Sequence, residues 1–374
     1  MCRPTDLAPG TLVEIYDRDG RFVGRGIYNR KSQIAVRLLT EDPAQPLDEE
    51  YLGRLLDRAV RFRRETLSLD SITDSYRLVH SEGDGLSGLV VDRMGRFLVI
   101  QLCSAGWFRL LRWLIPALHE RFRDSTVLVR ADKSVEGKEG FRVRDFEAES
   151  LGEAGLKTVI REGGLRYAVD LWHGHKTGFF CDQRENRLRV RGLASGKRVL
   201  DGFCYTGGFA LNAALGGALR VVAVDLDEKA VALARENGGA NGLHVDFHHA
   251  DMFEFLRQSA RREERYDLVI LDPPKFASGR KEVQQAFVRY RDINCLACKV
   301  LAAGGTLITC SCSGAVSEAV FHEAVLTGAK SADVPLDLLE TAGAPADHPV
   351  RPEFPQGRYL KVLTFRAGAR HGAT

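Results

Sequence analysis

The sequence predicts an α/β protein built on a doubly wound parallel sheet, preceded by an α+β unit and a short β segment. Three observations carry this. After about residue 195, short apolar β-rich runs alternate with helical stretches: KRVLDGF, RVVAVDL, VDFHHAD, YDLVILD and GTLITCSC. Strands that are apolar throughout and separated by helices belong to a sheet covered on both faces. From about 76 to 170 the pattern is mixed, and the first 40 residues alternate with hairpin chemistry. A length of 374 residues also exceeds one ordinary domain.

In chain order, TLVEIYD, an Asp19-Gly20 turn, RFVGRGIYN and QIAVRLLT read as antiparallel strands. EDPAQPLDEE (41–50) is an acidic, Pro-containing break, and residues 51–67 carry a helical pattern with basic outer faces. SYRLVH, GLVVDR, FLVIQL and TVLVRAD read as strands, as does the pair KTVIREGGLRYAVDL. WFRLLRWLIPALHERF reads as a helix interrupted by Pro116. Near the C-terminus LDLLETA and RYLKVLTF follow without a long helix between them, which fits an antiparallel hairpin added to the sheet.

Composition excludes several classes. Hydrophobic residues are 44% and charged residues 28%, as in soluble globular chains. No run approaches the roughly 18 apolar residues of a membrane span, and MCRPTDLAPG lacks the apolar core of a signal peptide. A cytoplasmic location follows, with the eight cysteines reduced. Cys295 and Cys298 have CxxC spacing but no second pair to complete a zinc site, so no metal is expected. His248 and His249 read as exposed strand residues rather than ligands. Net charge is +3; of the 53 basic residues 12 are Lys and 41 Arg, a weak pointer to phosphate contacts.

In a doubly wound sheet ligands bind beyond the carboxyl ends of the strands. The first strand there ends in DGFCYTGGFA, from Asp201, where Gly207-Gly208 allows a close approach of backbone to ligand. The second ends in Asp225, 24 residues on, placed for a ribose diol; the third ends in Asp251, with Met252 and Phe253 able to flank an adenine. GxGxxG and GxxxxGKS are both missing, so a nucleoside without a pyrophosphate fits best, and S-adenosylmethionine is the obvious one. The fourth strand ends in Asp272-Pro273-Pro274-Lys275-Phe276. Two prolines fix φ and remove two donors, giving a rigid turn that presents the Asp272 carboxylate to a planar substrate, with Phe276 free to stack on a base.

The fifth strand ends in ITCSCSG. Adding a thiolate to C6 of cytosine makes C5 nucleophilic toward a sulfonium methyl group, which is nucleophilic catalysis by cysteine. Neighbouring strands lie about 5 Å apart, so Cys312 would lie close to Asp272. Cys310, deeper in the strand, reads as packing. Cys312 precedes Ser313-Gly314 at the turn into a helix whose N-terminus would favour a thiolate. The bland alternative makes both cysteines small core residues.

GHKTGFFCDQRENR (174–187), FCYTGGFA, VVAVDLDEKA, LDPPKF, YRDIN (290–294), SCSG and ADHPV (346–350) occur in this order, and SEGDGLSGLVVDRMG precedes them. Together they resemble the bacterial 23S ribosomal RNA large subunit methyltransferase I family over residues 10–366. The resemblance implies a Rossmann-like class I methyltransferase sheet, an α+β middle domain, a PUA-like RNA-binding barrel, S-adenosylmethionine as cofactor and 23S ribosomal RNA as substrate, with 5-methylcytosine as product. It divides the chain into a partial PUA-like domain (1–43), a middle domain (44–172) and a methyltransferase domain (173–374); the PUA-like part lacks the family's opening strand and helix. Lys176, Thr177, Gly178, Phe179 and Gln183 resemble the segment that closes over the cofactor. Asp201, Tyr205, Thr206 and Gly207 resemble the methionine-side loop, Asp225 the ribose acid and Asp251 the residue beside the adenine. Asp272 is grouped with the cofactor-binding residues and, with Cys312 as nucleophile, as catalytic; Pro273, Pro274, Lys275 and Phe276 take the substrate base. Lys275 or Phe276 stands where related enzymes carry a second cysteine, which leaves the base for the C5 proton unassigned. YRDIN and ADHPV receive no role. A homodimer is compatible with the sequence.

Two other readings stay open. A methyltransferase acting on guanine or an exocyclic amine needs no cysteine. A non-catalytic ribosome-assembly or RNA-binding factor needs no cofactor.

Overall fold

The computed structural model describes residues 6–143, 156–172, 174 and 177–368. The chain forms two compact units: Met1–Glu162 with Val169–Cys181 and Ala346–Gly357, and Gly163–Ala168 with Asp182–Pro345 and Arg358–Thr374.

In the first unit, β1 (Thr11–Tyr16), β2 (Phe22–Tyr28) and β3 (Val36–Thr40) form an antiparallel three-stranded sheet. Asp17 Oδ1 accepts the amides of Asp19 and Arg21, and Gly20 supplies the positive φ the β1–β2 turn needs. Helix α1 (Glu49–Arg61) starts where Asp48 caps the Tyr51 amide, and it buries Leu52, Leu55, Leu56 and Ala59. There follow β4 (Ser75–His80), β5 (Leu89–Met94), β6 (Phe97–Leu102), α2 (Ala105–Arg121), β7 (Thr126–Arg130) and α3 (Lys133–Glu139). The strands lie in the order β4-β5-β6-β7, antiparallel except where α2 crosses over to make β6 and β7 parallel. Pro116 does not interrupt α2. Both Pro116 and Arg112, the residue one turn earlier whose carbonyl loses its donor, are exposed, so water can satisfy that oxygen.

A charged cluster holds this unit together internally. Arg63 is fully buried and donates twice to Asp84, at 2.6 and 2.9 Å, and to the carbonyls of Arg77 (2.9 Å) and Asp347 (2.7 Å). Asp347 in turn accepts the Arg77 amide, and the His348 ring packs edge-on against His80. Asp347 and His348 of the ADHPV segment, unassigned from the sequence, therefore staple this unit. Burial, with Arg77 and His348 alongside, pulls the pKa of His80 down to about 2, so the ring stays neutral beside the arginines. A further pair of strands, β8 (Lys157–Glu162) and β9 (Leu165–Asp170), forms its own two-stranded sheet, turned at Gly163-Gly164.

The second unit runs α4 (Arg184–Leu193), β10 (Arg198–Gly202), α5 (Gly208–Leu215), β11 (Arg220–Asp225), α6 (Glu228–Ala240), β12 (Asp246–His249), α7 (Met252–Arg261), β13 (Tyr266–Leu271), α8 (Val283–Val300), β14 (Leu301–Ser311), α9 (Glu318–Ser331), β15 (Leu336–Ala342) and β16 (Lys361–Ala367). Its sheet has the order β12-β11-β10-β13-β14-β16-β15, parallel except that β16 runs antiparallel to both neighbours. The chain winds outward from β10 to β12, then returns across β10 to β13 and β14, so the switch point lies between β10 and β13. Leu200, Val222, Val269 and Leu307 from the strands pack with Tyr290, Ile293 and Phe321 from α8 and α9. The expected hairpin is present as β15 and β16. His248 and His249 are exposed, and Cys298 is buried in α8. No helix among the described residues is long and apolar enough to cross a membrane.

Removing one partner of the buried cluster strands a charge. Asp84→Ala should therefore destabilise the protein by about 3–5 kcal/mol, whereas Glu50→Ala, which breaks the exposed Arg54–Glu50 pair, should cost at most about 0.5 kcal/mol. Urea denaturation of the two variants measures the contrast.

Candidate active site

The carboxyl ends of β10, β11, β13 and β14 collect the acids and the cysteine anticipated from the sequence. Asp201, on β10, is completely buried. Its Oδ2 accepts the Ala210 amide in α5 at 2.8 Å, while Oδ1 has no hydrogen-bond partner among the described residues. Burial above all, aided by the nearby charges of Asp272 and Asp225, pushes its pKa up to about 8. A buried carboxyl in that state is held ready for a cationic group, which would return it to the carboxylate form.

The loop after β10 is wound tightly. Phe203 and Tyr205 adopt positive φ angles of 64° and 48°, and Gly207 one of 86°. The amides of Phe203 and Cys204 are held by the Val224 carbonyl, and the Tyr205 amide by Asp225 Oδ2 at 2.8 Å. Asp225 Oδ1 accepts the Asp227 amide at 2.9 Å, so this acid both ends β11 and pins the loop. At Gly207 a Cβ would come within 3.2 Å of the Phe247 ring, in addition to the unfavourable φ. Thr206 is buried, and its carbonyl accepts from Asn237.

Asp251 caps α7 through the Glu254 amide and is exposed. Met252 is not at the surface: it is buried beneath Gly202, where an added Cβ would lie 2.8 Å from its Cε. Of the two residues expected to flank an adenine, only Phe253 is part-exposed.

The turn after β13 and the turn after β14 are joined by one side chain. Ser313 Oγ accepts the amides of Phe276 (3.1 Å) and Ala277 (3.2 Å) and lies 3.1 Å from the Tyr290 hydroxyl, which also accepts from Ser311 Oγ at 2.9 Å. Asp272 donates its amide to the Gly202 carbonyl. Pro273 is buried, whereas Pro274 and Lys275 are exposed. The Phe276 ring is not simply open to a base: it packs at 4.8 Å on Tyr290, with the Arg289 guanidinium 5.2 Å from its centre. Cys312 is part-exposed between the fully buried Ser311 and Ser313. Cys310 is fully buried opposite Val362, and burial drives its thiol pKa well above the ordinary value. The helix terminus expected to favour a Cys312 thiolate begins only at Glu318 and is capped by Ser317.

Gln183 is buried, bonded to Asn186 and reaching Cys310. Thr177, Gly178 and Phe179 belong to the first unit, where Thr177 Oγ1 donates to Asp92 at 2.8 Å; Lys176 lies outside the described residues. The residues that sequence reasoning missed are Tyr290, Ser311, Ser313 and Lys361. Tyr290 opens the YRDIN segment and the two serines flank Cys312, so proximity to recognised motifs was the available signal. A hollow lined by Arg198, Leu219, Arg220, His244 and Asp246 lies at the amino ends of β10–β12, the opposite edge from these groups. Among the described residues no group of three or more His, Cys, Asp or Glu is placed to hold a metal.

The orphaned Asp201 oxygen, at the carboxyl edge of the sheet, fits a cationic ligand. Comparisons with known proteins agree. A family model for S-adenosylmethionine-dependent methyltransferases matches residues 139–366, and one for a PUA-like domain matches 3–41. The chain is 38% identical to the ribosomal RNA large subunit methyltransferase I of Escherichia coli (strain K12), covering 96% of this chain and 90% of that protein. It is 39% identical to the Aeromonas hydrophila protein of the same name, covering 96% and 91%. In fold it is similar to the crystal structure of SMU.776 complexed with SAH, with a TM-score of 0.82 at 23% identity over 96% of this chain and 93% of that one. The sheet is thus the Rossmann-like class I methyltransferase sheet, with a PUA-like domain before it, and the cofactor is S-adenosylmethionine. On this evidence the chain belongs to the ribosomal RNA large subunit methyltransferase I family of S-adenosylmethionine-dependent methyltransferases.

Proposed function

We propose that this enzyme methylates C5 of a cytosine in 23S ribosomal RNA through a covalent bond between Cys312 and C6. The names of the curated relatives support ribosomal RNA as the substrate, and a ribosomal substrate supports a cytoplasmic location. The observation that carries the covalent reading is the Ser313 junction. It sets the part-exposed Cys312 next to the hydroxyl that holds the turn following Asp272.

S-Adenosylmethionine supplies the electrophilic methyl group when bound. Asp225 is the proposed ribose acid and Asp251 the residue beside the adenine. Asp201, Tyr205, Thr206 and Gly207 form the methionine side, with Lys176, Thr177, Gly178, Phe179 and Gln183 as the closing segment. Asp272 orients the cytosine edge, and Pro273, Pro274, Lys275 and Phe276 shape the place where the base lies. The Cys312 thiolate adds to C6, which breaks the C5–C6 double bond and makes C5 nucleophilic. C5 takes the methyl group and then loses its proton to a base. Breaking the S–C6 bond restores the aromatic ring and the thiolate. The PUA-like domain contributes RNA binding.

Incubation with labelled S-adenosylmethionine and unmodified ribosomal RNA, followed by nucleoside digestion, should yield labelled 5-methylcytidine. Cys312→Ala should lower that rate by at least about a thousandfold, as loss of a covalent nucleophile does. Label on guanine or adenine, or full activity of Cys312→Ala, would refute the covalent reading.

Asp201 gives a pH prediction. Its folded pKa, about 8, lies above the ordinary value of 3.8, so the folded protein holds a proton that the unfolded chain has lost between those pH values. The contribution of Asp201 to stability therefore falls as pH rises from about 4 to about 8 and is level above that. Binding of the cationic cofactor needs the carboxylate, so calorimetry should show affinity strengthening from pH 6 to 8.5 in the wild type. In Asp201→Asn it should be weaker and flat.

A further inference from the structure

Lys361 is the first residue of β16 and pairs across the ladder with Ser311, the residue before Cys312. It is 5% exposed. Its Nζ donates to the carbonyls of Ser313 (2.7 Å) and Val316 (2.9 Å), so the ammonium closes the turn that carries Cys312. Among the described residues no carboxylate lies within ion-pairing distance of it. Two carbonyl dipoles satisfy two of its three protons but do not neutralise its charge. A buried cation in that position is costly unless an anion forms nearby.

We propose that Lys361 is a positioning residue that holds the Cys312 sulfur as a thiolate and fixes the turn presenting it. This rests on the reading of Cys312 as the nucleophile. Asp272 and Cys312 both act electrostatically on Tyr290 and on Cys310, and Glu318 faces Lys361 from the start of α9. Asp272, close to the same two side chains, disfavours a second anion there, and the Lys361 ammonium, which interacts with Cys312, offsets that effect. Burial lowers the Lys361 pKa to about 8, while a negative charge on Cys312, and less so on Glu318, raises it. The coupling is reciprocal: what the thiolate does for the ammonium, the ammonium does for the thiolate.

The test uses the full-length protein without RNA. Alkylation of Cys312 by iodoacetamide is followed against pH by mass spectrometry of its peptide, which separates it from the other cysteines. Lys361→Met should move the midpoint of the profile up by about one pH unit, lowering the rate at pH 7 roughly tenfold. Lys361→Arg should keep it near the wild-type position. An unmoved midpoint in a Lys361→Met protein that still binds S-adenosylmethionine overturns the proposal. A second measurement leaves Lys361 intact, should its replacement unfold the turn: the 13Cε resonance of Lys361 is titrated in lysine-labelled wild type and Cys312→Ser. Loss of the anion should lower the Lys361 midpoint, and an unchanged midpoint again contradicts the proposal. Failure of the nucleophile reading shows separately, as methylation that survives Cys312→Ala.

Discussion

Ser313 Oγ accepts two backbone amides from the turn after β13 while its own residue sits in the turn after β14. The geometry of the proposed reaction depends on that pair of bonds. Asp272 and Cys312 leave neighbouring strands, and strand pairing alone fixes only where those strands end. The serine fixes how the two turns face each other beyond the ends. Tyr290 extends the anchor into α8, and its ring packs edge-on against Phe321 of α9 at 4.9 Å. Phe276 packs on the same ring at 4.8 Å. The two turns and α8 thus meet at one buried hydroxyl, with α9 packed behind Tyr290, so Asp272 and Cys312, the groups proposed to react, lie on turns anchored to rigid elements. Leaving the amides of Phe276 and Ala277 without an acceptor would cost about 1–3 kcal/mol each where they are shielded from water.

On the proposed cofactor side the constraint is strain. Phe203 and Tyr205 are non-glycine residues held at positive φ, at a cost of order 1–3 kcal/mol each. The Val224 carbonyl and the Asp225 carboxylate hold them there. Asp201 adds a second stored cost, a carboxyl buried without a partner for one oxygen. Both features sit at the end of β10, next to the switch point of the sheet. Each is tolerable because strands packed on both faces leave the loop few alternative paths. In the proposed site a ligand with a positive centre would relieve the second cost, a form of pre-organisation that would favour the charged cofactor over its neutral product.

Much of this was legible in the sequence, and for a physical reason. In a parallel sheet every carboxyl end lies on one edge, so Asp201, Asp225, Asp272 and Cys312 could be grouped from chain order alone once the strands were recognised. Asp251 followed in the same way, although it proves to be a helix cap beyond the end of β12. What could not be read were interactions between residues distant in the chain. Ser313 lies 37 residues from Phe276 and Lys361 48 residues from Ser313, and neither residue type is distinctive. The helix terminus invoked for Cys312 was a local guess, and the structure places a lysine from another strand on that turn instead. Pro116 misled because its effect depends on which side of α2 faces water. Asp347 and His348 could be given no role from their motif, because their partners Arg63, Arg77 and His80 lie far away in the chain.

The most direct test of the central claim is to trap the covalent bond. Ribosomal RNA transcribed with 5-fluorocytidine carries a fluorine where the C5 proton must leave, so an adduct formed through C6 cannot be released after methyl transfer. Incubated with the enzyme and S-adenosylmethionine, this RNA should give a protein–RNA species that survives denaturing electrophoresis. Digestion should locate the attached nucleotide on the peptide containing Cys312. An adduct on another residue, or no adduct from an enzyme that methylates ordinary ribosomal RNA, would contradict the account.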